Sequence, residues 1–200
     1  MTALTDTTAF QALNGLAGLN DTLDAALIFG AEWLIFLMAA ALVAYVLVSW
    51  NTSHFEGRFE NLVHATWAAA IGFALERTIG FIWFRPRPFV IFDDLTKLIA
   101  MDSGMKSFPS GHTTFAFALA FSLLIHNRRW GWVFILLALL VGLSRVAVGV
   151  HYPSDVVGGL AVGLVATILA VPVKRLIDPL LDWIPLFRLH KRTGEPKDLL

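Results

Sequence analysis

Ser144-Arg145-Val146-Ala147-Val148-Gly149-Val150-His151-Tyr152-Pro153-Ser154-Asp155 sets a guanidinium, an imidazole and a carboxylate within twelve positions of an otherwise apolar sequence. Ionisable groups near a bilayer are costly, so a membrane chain that keeps them together marks a functional site by default. Upstream, Phe108-Pro109-Ser110-Gly111-His112 adds a second imidazole behind a Ser-Gly turn. Together the two stretches point to phosphoryl transfer through a histidine.

Composition supplies the setting. Of the 200 residues, 57% are hydrophobic and only 15% charged, and the mean hydropathy is +0.70. Soluble globular domains carry about 25% charged residues, so the chain reads as an integral membrane protein. No internal repeat and no Gly, Ser or Pro-rich linker divides it, and residues 1–200 are expected to form one membrane-embedded domain. The formal net charge is zero, so any attraction for an anionic substrate must be local. The absence of cysteine excludes disulfides, thiolate catalysis and Cys-based metal sites.

Five apolar stretches approach the roughly 20 helical residues needed to cross a bilayer: Ala25–Trp50, Asn61–Phe84, Phe108–Ile125, Trp130–Val150 and Val156–Val173. The expected fold is therefore all-α, an integral membrane bundle of about five transmembrane helices with interfacial helices at its edges. Phe10, Leu13, Leu16, Leu19 and Leu23 recur at near-helical spacing and predict an interfacial helix before the first span, while residues 176–192 predict a second after the last. The N-terminal stretch has no basic residue, which argues against a cleaved signal peptide.

The basic residues set the orientation. With the N-terminus outside, the inner segments hold Arg58, Arg128, Arg129, Lys174, Arg175, Arg188, Lys191, Arg192 and Lys197, as the positive-inside rule requires. The outer segments hold Arg85, Arg87, Lys97, Lys106 and Arg145. All the chemical motifs then fall on the extracytoplasmic face, and a multi-pass membrane location is expected.

Each residue type suits a phosphoryl group. Guanidinium forks and helix N-terminal amides grip its oxygens, and Arg145, Arg87 and the Ser110-Gly111 turn can supply both. Gly111 permits close approach, and Ser110 can cap the helix or donate its hydroxyl. His151 and Asp155 are four apart around Pro153, a favourable first helical residue, so they are expected on one helix face. A carboxylate beside the imidazole fixes its tautomer and frees the other nitrogen to attack phosphorus. His112 can protonate the departing oxygen. No metal or other cofactor is expected where arginines carry the charge.

Independent structural roles are the competing explanation: His112 as a helix cap, Arg145 snorkelling to headgroups. Jointly they require separate accidents at matching depth. Glu32 reads equally as a bundle-packing hydrogen-bond acceptor or a substrate contact, and the adjacent Glu76 and Arg77 are expected to have separate partners, since neighbours on a helix do not face one another. Gly158, Gly159 and Gly163 read as close helix packing.

At these residues the chain resembles the type 2 phosphatidic acid phosphatase superfamily. Ser144, Arg145, His151 and Asp155 match its third motif without a gap, and Pro109-Ser110-Gly111-His112 matches its second in full. The first motif, Lys, six residues, then Arg-Pro, is matched in part. Gly80 stands in the lysine position counted from Arg87-Pro88, Thr78 in that counted from Arg85-Pro86, and Arg77 is the nearest base and the candidate for that phosphate contact. The resemblance implies a helical membrane bundle with His151 as phosphorylated nucleophile, Asp155 orienting it and His112 as general acid. Arg145, Arg87, Ser110 and Gly111 then hold the phosphate.

Asn14, Asp24, Ala31-Glu32 and Arg85-Pro86-Arg87-Pro88-Phe89 extend the likeness to undecaprenyl-diphosphate phosphatases of the bacitracin-resistance type. That likeness implies hydrolysis of undecaprenyl diphosphate to its monophosphate, with lipid and bilayer as partners and no nucleic acid. A phosphatase for phosphatidic acid or phosphatidylglycerophosphate, and a lipid phosphotransferase, fit the same motifs. A non-catalytic anion-binding or transport protein would need Arg145 and Arg87 but no facing pair of His112 and His151.

Overall fold

A computed structural model describes residues 3–102 and 106–181, with side chains from 5 to 173 outside the same gap. Every regular element among them is helical. Helix α1 spans Ala3–Asn14, and α2 (Asp21–Ile28) runs through a π-helical turn, Phe29–Trp33, into α3 (Leu34–Leu47). Then come α4 (Phe55–Ile82), the single turn α5 (Pro88–Ile91), α6 (Gly111–His126), α7 (Arg128–Ala147) and α8 (Pro153–Leu181).

The five expected spans correspond to α2 with α3, then α4, α6, α7 and α8. Three are long and apolar enough to cross a membrane on those grounds alone: Asp21–Leu47, Arg128–Ala147 and Pro153–Val173. Helix α4 has the length but carries Glu56, Arg58, Glu60, Glu76 and Arg77. Helix α6 has 16 residues, about 24 Å at the α-helical rise. It sits in the middle of the bundle, packed against α4, α7 and α8. Its buried Ala116, Phe117, Ala118, Leu119, Ala120 and Leu123 face several neighbours at once, as a helix surrounded by others must.

Small residues let these helices approach closely. A Cβ on Gly159 would meet the Ser110 carbonyl at 2.8 Å, and one on Gly163 the Thr114 carbonyl at 2.8 Å, so α8 lies against α6 nearly backbone to backbone. The opposite surfaces are greasy. Phe36, Leu37, Phe73, Leu136, Leu140 and Ile168 are all exposed, a pattern stable in lipid and not in water.

Polar side chains set the joints. Asn127 ends α6 and begins α7, accepting from the Trp130 amide at 3.2 Å while donating to the Tyr45 hydroxyl at 3.1 Å. Asn20 caps α2 by accepting from the Leu23 amide at 2.9 Å. At the far end of α7, Gly149 takes φ 88°, and a Cβ there would strike Leu95 at 2.8 Å. This left-handed turn, open to glycine, directs the chain from α7 to His151.

The N-terminal segment departs from the expected interfacial helix. Helix α1 ends at Asn14, a turn with Gly18 at φ 81° follows, and Leu16 and Leu19 are exposed. The buried stripe is Asp6, Phe10, Asn14 and Ala17, which fixes α1 against α7 and α8. Phe10 stacks on Phe92 at 5.8 Å between ring centroids and touches Tyr152 at 5.7 Å. At the other terminus the backbone of α8 continues helical to Leu181 instead of stopping near Val173, and residues 182–192 of the expected second interfacial segment lie outside the described residues. The side chains of the inner bases Lys174, Arg175, Arg188, Lys191, Arg192 and Lys197 lie outside them as well.

Candidate active site

Asp155, fully buried in the first turn of α8, collects the site. Its Oδ2 accepts from Ser107 Oγ at 2.5 Å and from the Tyr152 amide at 2.8 Å, and its Oδ1 accepts from Arg85 Nη1 at 2.8 Å. Its own carbonyl accepts from the Ser110 amide at 3.0 Å, which ties the start of α8 to the start of α6. His151 Nδ1 stands 3.4 Å from Oδ2, an ion-pair approach longer than a good hydrogen bond.

The expected placement of His151 and Asp155 on one helix face needs amending. His151 precedes α8, and the two meet because residues 149–152 fold tightly against the helix start.

The tautomer of His151 follows from its other neighbour. Arg87 Nη1 donates to the Val150 carbonyl at 2.8 Å and faces His151 Nε2 at 3.2 Å. A guanidinium has only donors, so Nε2 presents its lone pair and Nδ1 carries the proton, directed at Asp155. Burial pushes the imidazole down to about 4, against a raising contribution from Asp155 and with further lowering by Arg145 and Arg87. His151 is therefore a neutral base at physiological pH.

The grip for an anion surrounds this nitrogen. Arg145 is 1% exposed, with Nη1 donating to the Ala31 carbonyl at 3.2 Å and Nη2 3.9 Å from Met101 Sδ. The Nε atoms of Arg145 and of the buried Arg87 have no hydrogen-bond partner among the described residues. Burial also lowers the Arg87 pKa, opposed by Asp155 and Glu76. Such charges are expensive unless an anion meets them. Both arginines line a cavity of about 1030 Å³ together with His112, Gly111 and His151.

Ser110 is fully buried at the N-cap position of α6, yet its side chain makes no capping bond and accepts from Thr113 Oγ1 at 3.0 Å instead. Its own hydroxyl proton remains available. Arg77, by contrast, sits at the rim: its side chain is 59% exposed, Nε is 3.7 Å from Glu76, and the guanidinium lies 5.0 Å over Phe73. Among the described residues no group of three or more His, Asp or Glu has an arrangement that would hold a metal ion.

Three residues that sequence reasoning did not assign to the site buttress it. Arg85 bridges Asp155 to Asp6, its Nη2 reaching Asp6 Oδ2 at 2.7 Å, with its guanidinium 3.8 Å over the Tyr152 ring. Asp6 also accepts from the amide and hydroxyl of Ser154 at 2.9 and 2.6 Å. Asn14 binds the Thr96 and Ala147 carbonyls, both at 2.8 Å, and so clasps the loop after α5 to the end of α7. The available signal was the four-residue step from Asp6 to Phe10 to Asn14, a helix face that mixes polar with apolar.

The buried environment of His151 has a direct spectroscopic consequence. In nitrogen-15 histidine-labelled protein in detergent, the imidazole resonance missing from His151→Gln should titrate near pH 4, and its midpoint should move lower still in Asp155→Asn. A midpoint near the ordinary value of about 6.5 would contradict the burial and the donor at Nε2.

The geometry has parallels among known proteins. The chain is 32% identical to undecaprenyl-diphosphatase BcrC of Bacillus subtilis over 94% of its length and 96% of that protein. Its fold is similar to LpxE of Aquifex aeolicus, with a TM-score of 0.63 at 24% identity over 83% of this chain and 94% of that one. It is also similar to a transmembrane PAP2-type phosphatidylglycerolphosphate phosphatase from Bacillus subtilis, with a TM-score of 0.54 at 25% identity and 89% coverage of each chain. The family model described as PAP2 superfamily matches residues 61–177, the stretch that carries Arg87, His112, Arg145, His151 and Asp155. The chain thus belongs to the PAP2 superfamily and is a multi-pass membrane lipid phosphatase.

Proposed function

We propose that the protein hydrolyses undecaprenyl diphosphate to undecaprenyl phosphate through a phosphohistidine on His151, at the outer face of a bacterial inner membrane, recycling the lipid carrier of cell-wall synthesis. The carrying observation is the pair of buried, unpartnered guanidinium Nε atoms on Arg87 and Arg145 in a cavity lined by both imidazoles. The choice of lipid is supported by the Bacillus subtilis diphosphatase, which the chain matches over nearly its whole length. Ile35, Phe36, Phe73, Phe81, Phe84 and Phe115 line the same cavity and offer an apolar path for a prenyl chain entering from the bilayer.

The steps follow from the residues. Arg87, Arg145, the Ser110 hydroxyl and the amides at the start of α6 hold the terminal phosphate. The Nε2 lone pair of His151 attacks phosphorus, and the bond from phosphorus to the bridging oxygen breaks. That oxygen leaves with the lipid monophosphate and takes a proton from His112, which enters the step as imidazolium beside the anionic substrate. Asp155 stabilises the positive imidazole through Nδ1. Water then attacks the phosphohistidine, gives its proton to His112 and releases inorganic phosphate, which regenerates neutral His151.

A phosphatidylglycerophosphate phosphatase is the second reading, favoured by the structural neighbour of that kind. Phosphate release from a panel of polyprenyl diphosphates and phospholipid monophosphates separates the two.

With terminally labelled substrate, His151→Ala should give no phosphoenzyme, whereas His112→Ala should slow turnover about 100-fold or more and still trap some. Undiminished labelling in His151→Ala would sink the assignment. Orientation is open to a cysteine test, because the natural chain has none. In intact cells Asp94→Cys should react with an impermeant thiol reagent and Arg129→Cys should not; the reverse pattern would put the site on the cytoplasmic side.

A further inference from the structure

Four cations line the cavity among the described residues: Arg77, Arg87, Lys106 and Arg145. Arg87 and Arg145 surround His151, and Arg77 is turned out at the rim. Lys106 has a different setting. Its ammonium donates to the Glu76 carbonyl at 2.6 Å and to the Glu76 carboxylate, with the lysine side chain 15% and the glutamate 10% exposed.

The lysine lies in a cradle. A Cβ on Gly80 would fall 1.8 Å from Lys106 Cδ and 2.3 Å from Nζ, so no other residue at position 80 leaves room for the stem as it stands. Glycine inside a long helix is unfavourable, yet here it creates the slot that Lys106 fills. Gly80 is also the position at which the partial first motif lacks its lysine, and the charge arrives there from position 106 instead. The next residue, Ser107, is pinned by its hydroxyl on Asp155 and its amide on the Arg85 carbonyl at 2.8 Å, which fixes the base of Lys106 relative to His151.

We infer that Lys106, parked on Glu76 over Gly80, binds the phosphate that stays with the leaving lipid, and so selects diphosphates over monophosphates. The inference rests on the phosphoryl-transfer reading above. A diphosphate seated with its terminal phosphate on Arg87 and Arg145 presents a second anionic group to the rest of the cavity, where Lys106 is more buried than the rim residue Arg77. A lysine suits that role, being a mobile point charge with three donors that can exchange a carboxylate for phosphate oxygens. Glu76 keeps the ammonium neutralised until an anion of high charge displaces it, so a monophosphate, which occupies the arginines alone, gains nothing from Lys106.

The test compares inorganic pyrophosphate with inorganic phosphate as ligands of the purified protein, alongside lipid diphosphate hydrolysis. Lys106→Met should weaken pyrophosphate binding about 10-fold or more, the size of a charged hydrogen bond, and change phosphate binding less than about 3-fold. The double variant Gly80→Lys with Lys106→Ala should recover pyrophosphate selectivity, because the vacated slot admits the stem from the α4 side; this gain of binding also guards against a misfolded single variant. Equal losses for the two anions, or no recovery in the swap, would overturn the assignment. Pyrophosphate selectivity that depends on Lys106 in a protein forming no phosphohistidine would uphold the subsite and refute the catalytic proposal.

Discussion

The buried carboxylate of Asp155 is the constraint on which the site depends. A lone ionised carboxylate in a bundle interior is prohibitively costly, so its oxygens must be filled. Ser107, Tyr152 and Arg85 fill them, with His151 alongside, and these partners come from three separate pieces of chain. Satisfying one charge thereby draws together the loop after α4, the approach to α6 and the start of α8. Through Arg85 and Asp6 it reaches α1 as well. The N-terminal helix in this sense braces the candidate site, though none of its described residues lines the cavity.

Around that satisfied anion the fold leaves two cations only partly satisfied. Arg87 and Arg145 are buried with Nε atoms that nothing described in the protein meets, and the donor Arg87 faces the lone pair of the neighbouring imidazole. Charge under His151 and charge in front of it give the site its direction: Nδ1 faces Asp155 at 3.4 Å, and His151 lines a cavity suited to an anion with an apolar tail. Rigid donors aimed at a developing charge in a water-poor pocket are an effective source of rate acceleration.

Much of this was legible in the sequence because the motifs are local. Arg145, His151 and Asp155 lie within a dozen residues, and apolar runs located the helices that hold them. What escaped was non-local. Asp6 lies 148 residues from Ser154, in a segment whose leucines suggested an interfacial helix, and the real buried face of Asp6, Phe10, Asn14 and Ala17 mixes charge with carbon. Arg85 was hidden by its neighbour Arg87, since Arg-Pro-Arg-Pro does not say which guanidinium faces the ligand and which braces Asp155. Lys106 and Gly80 are 26 positions apart, and only the packing of the intervening loop back on α4 reveals that one fills the space beside the other. Periodicity reports which face of a helix is apolar; it does not report polar partners brought together by loops.

The most direct measurement is an experimental structure of the protein soaked with orthovanadate, a stand-in for the phosphoryl group in flight. The account predicts vanadium bonded to Nε2 of His151, its oxygens taking donors from Arg87 and Arg145 including their free Nε atoms, and an apical oxygen turned toward His112. Vanadate held away from His151, or bound with the two guanidinium Nε atoms still unpartnered, would contradict it.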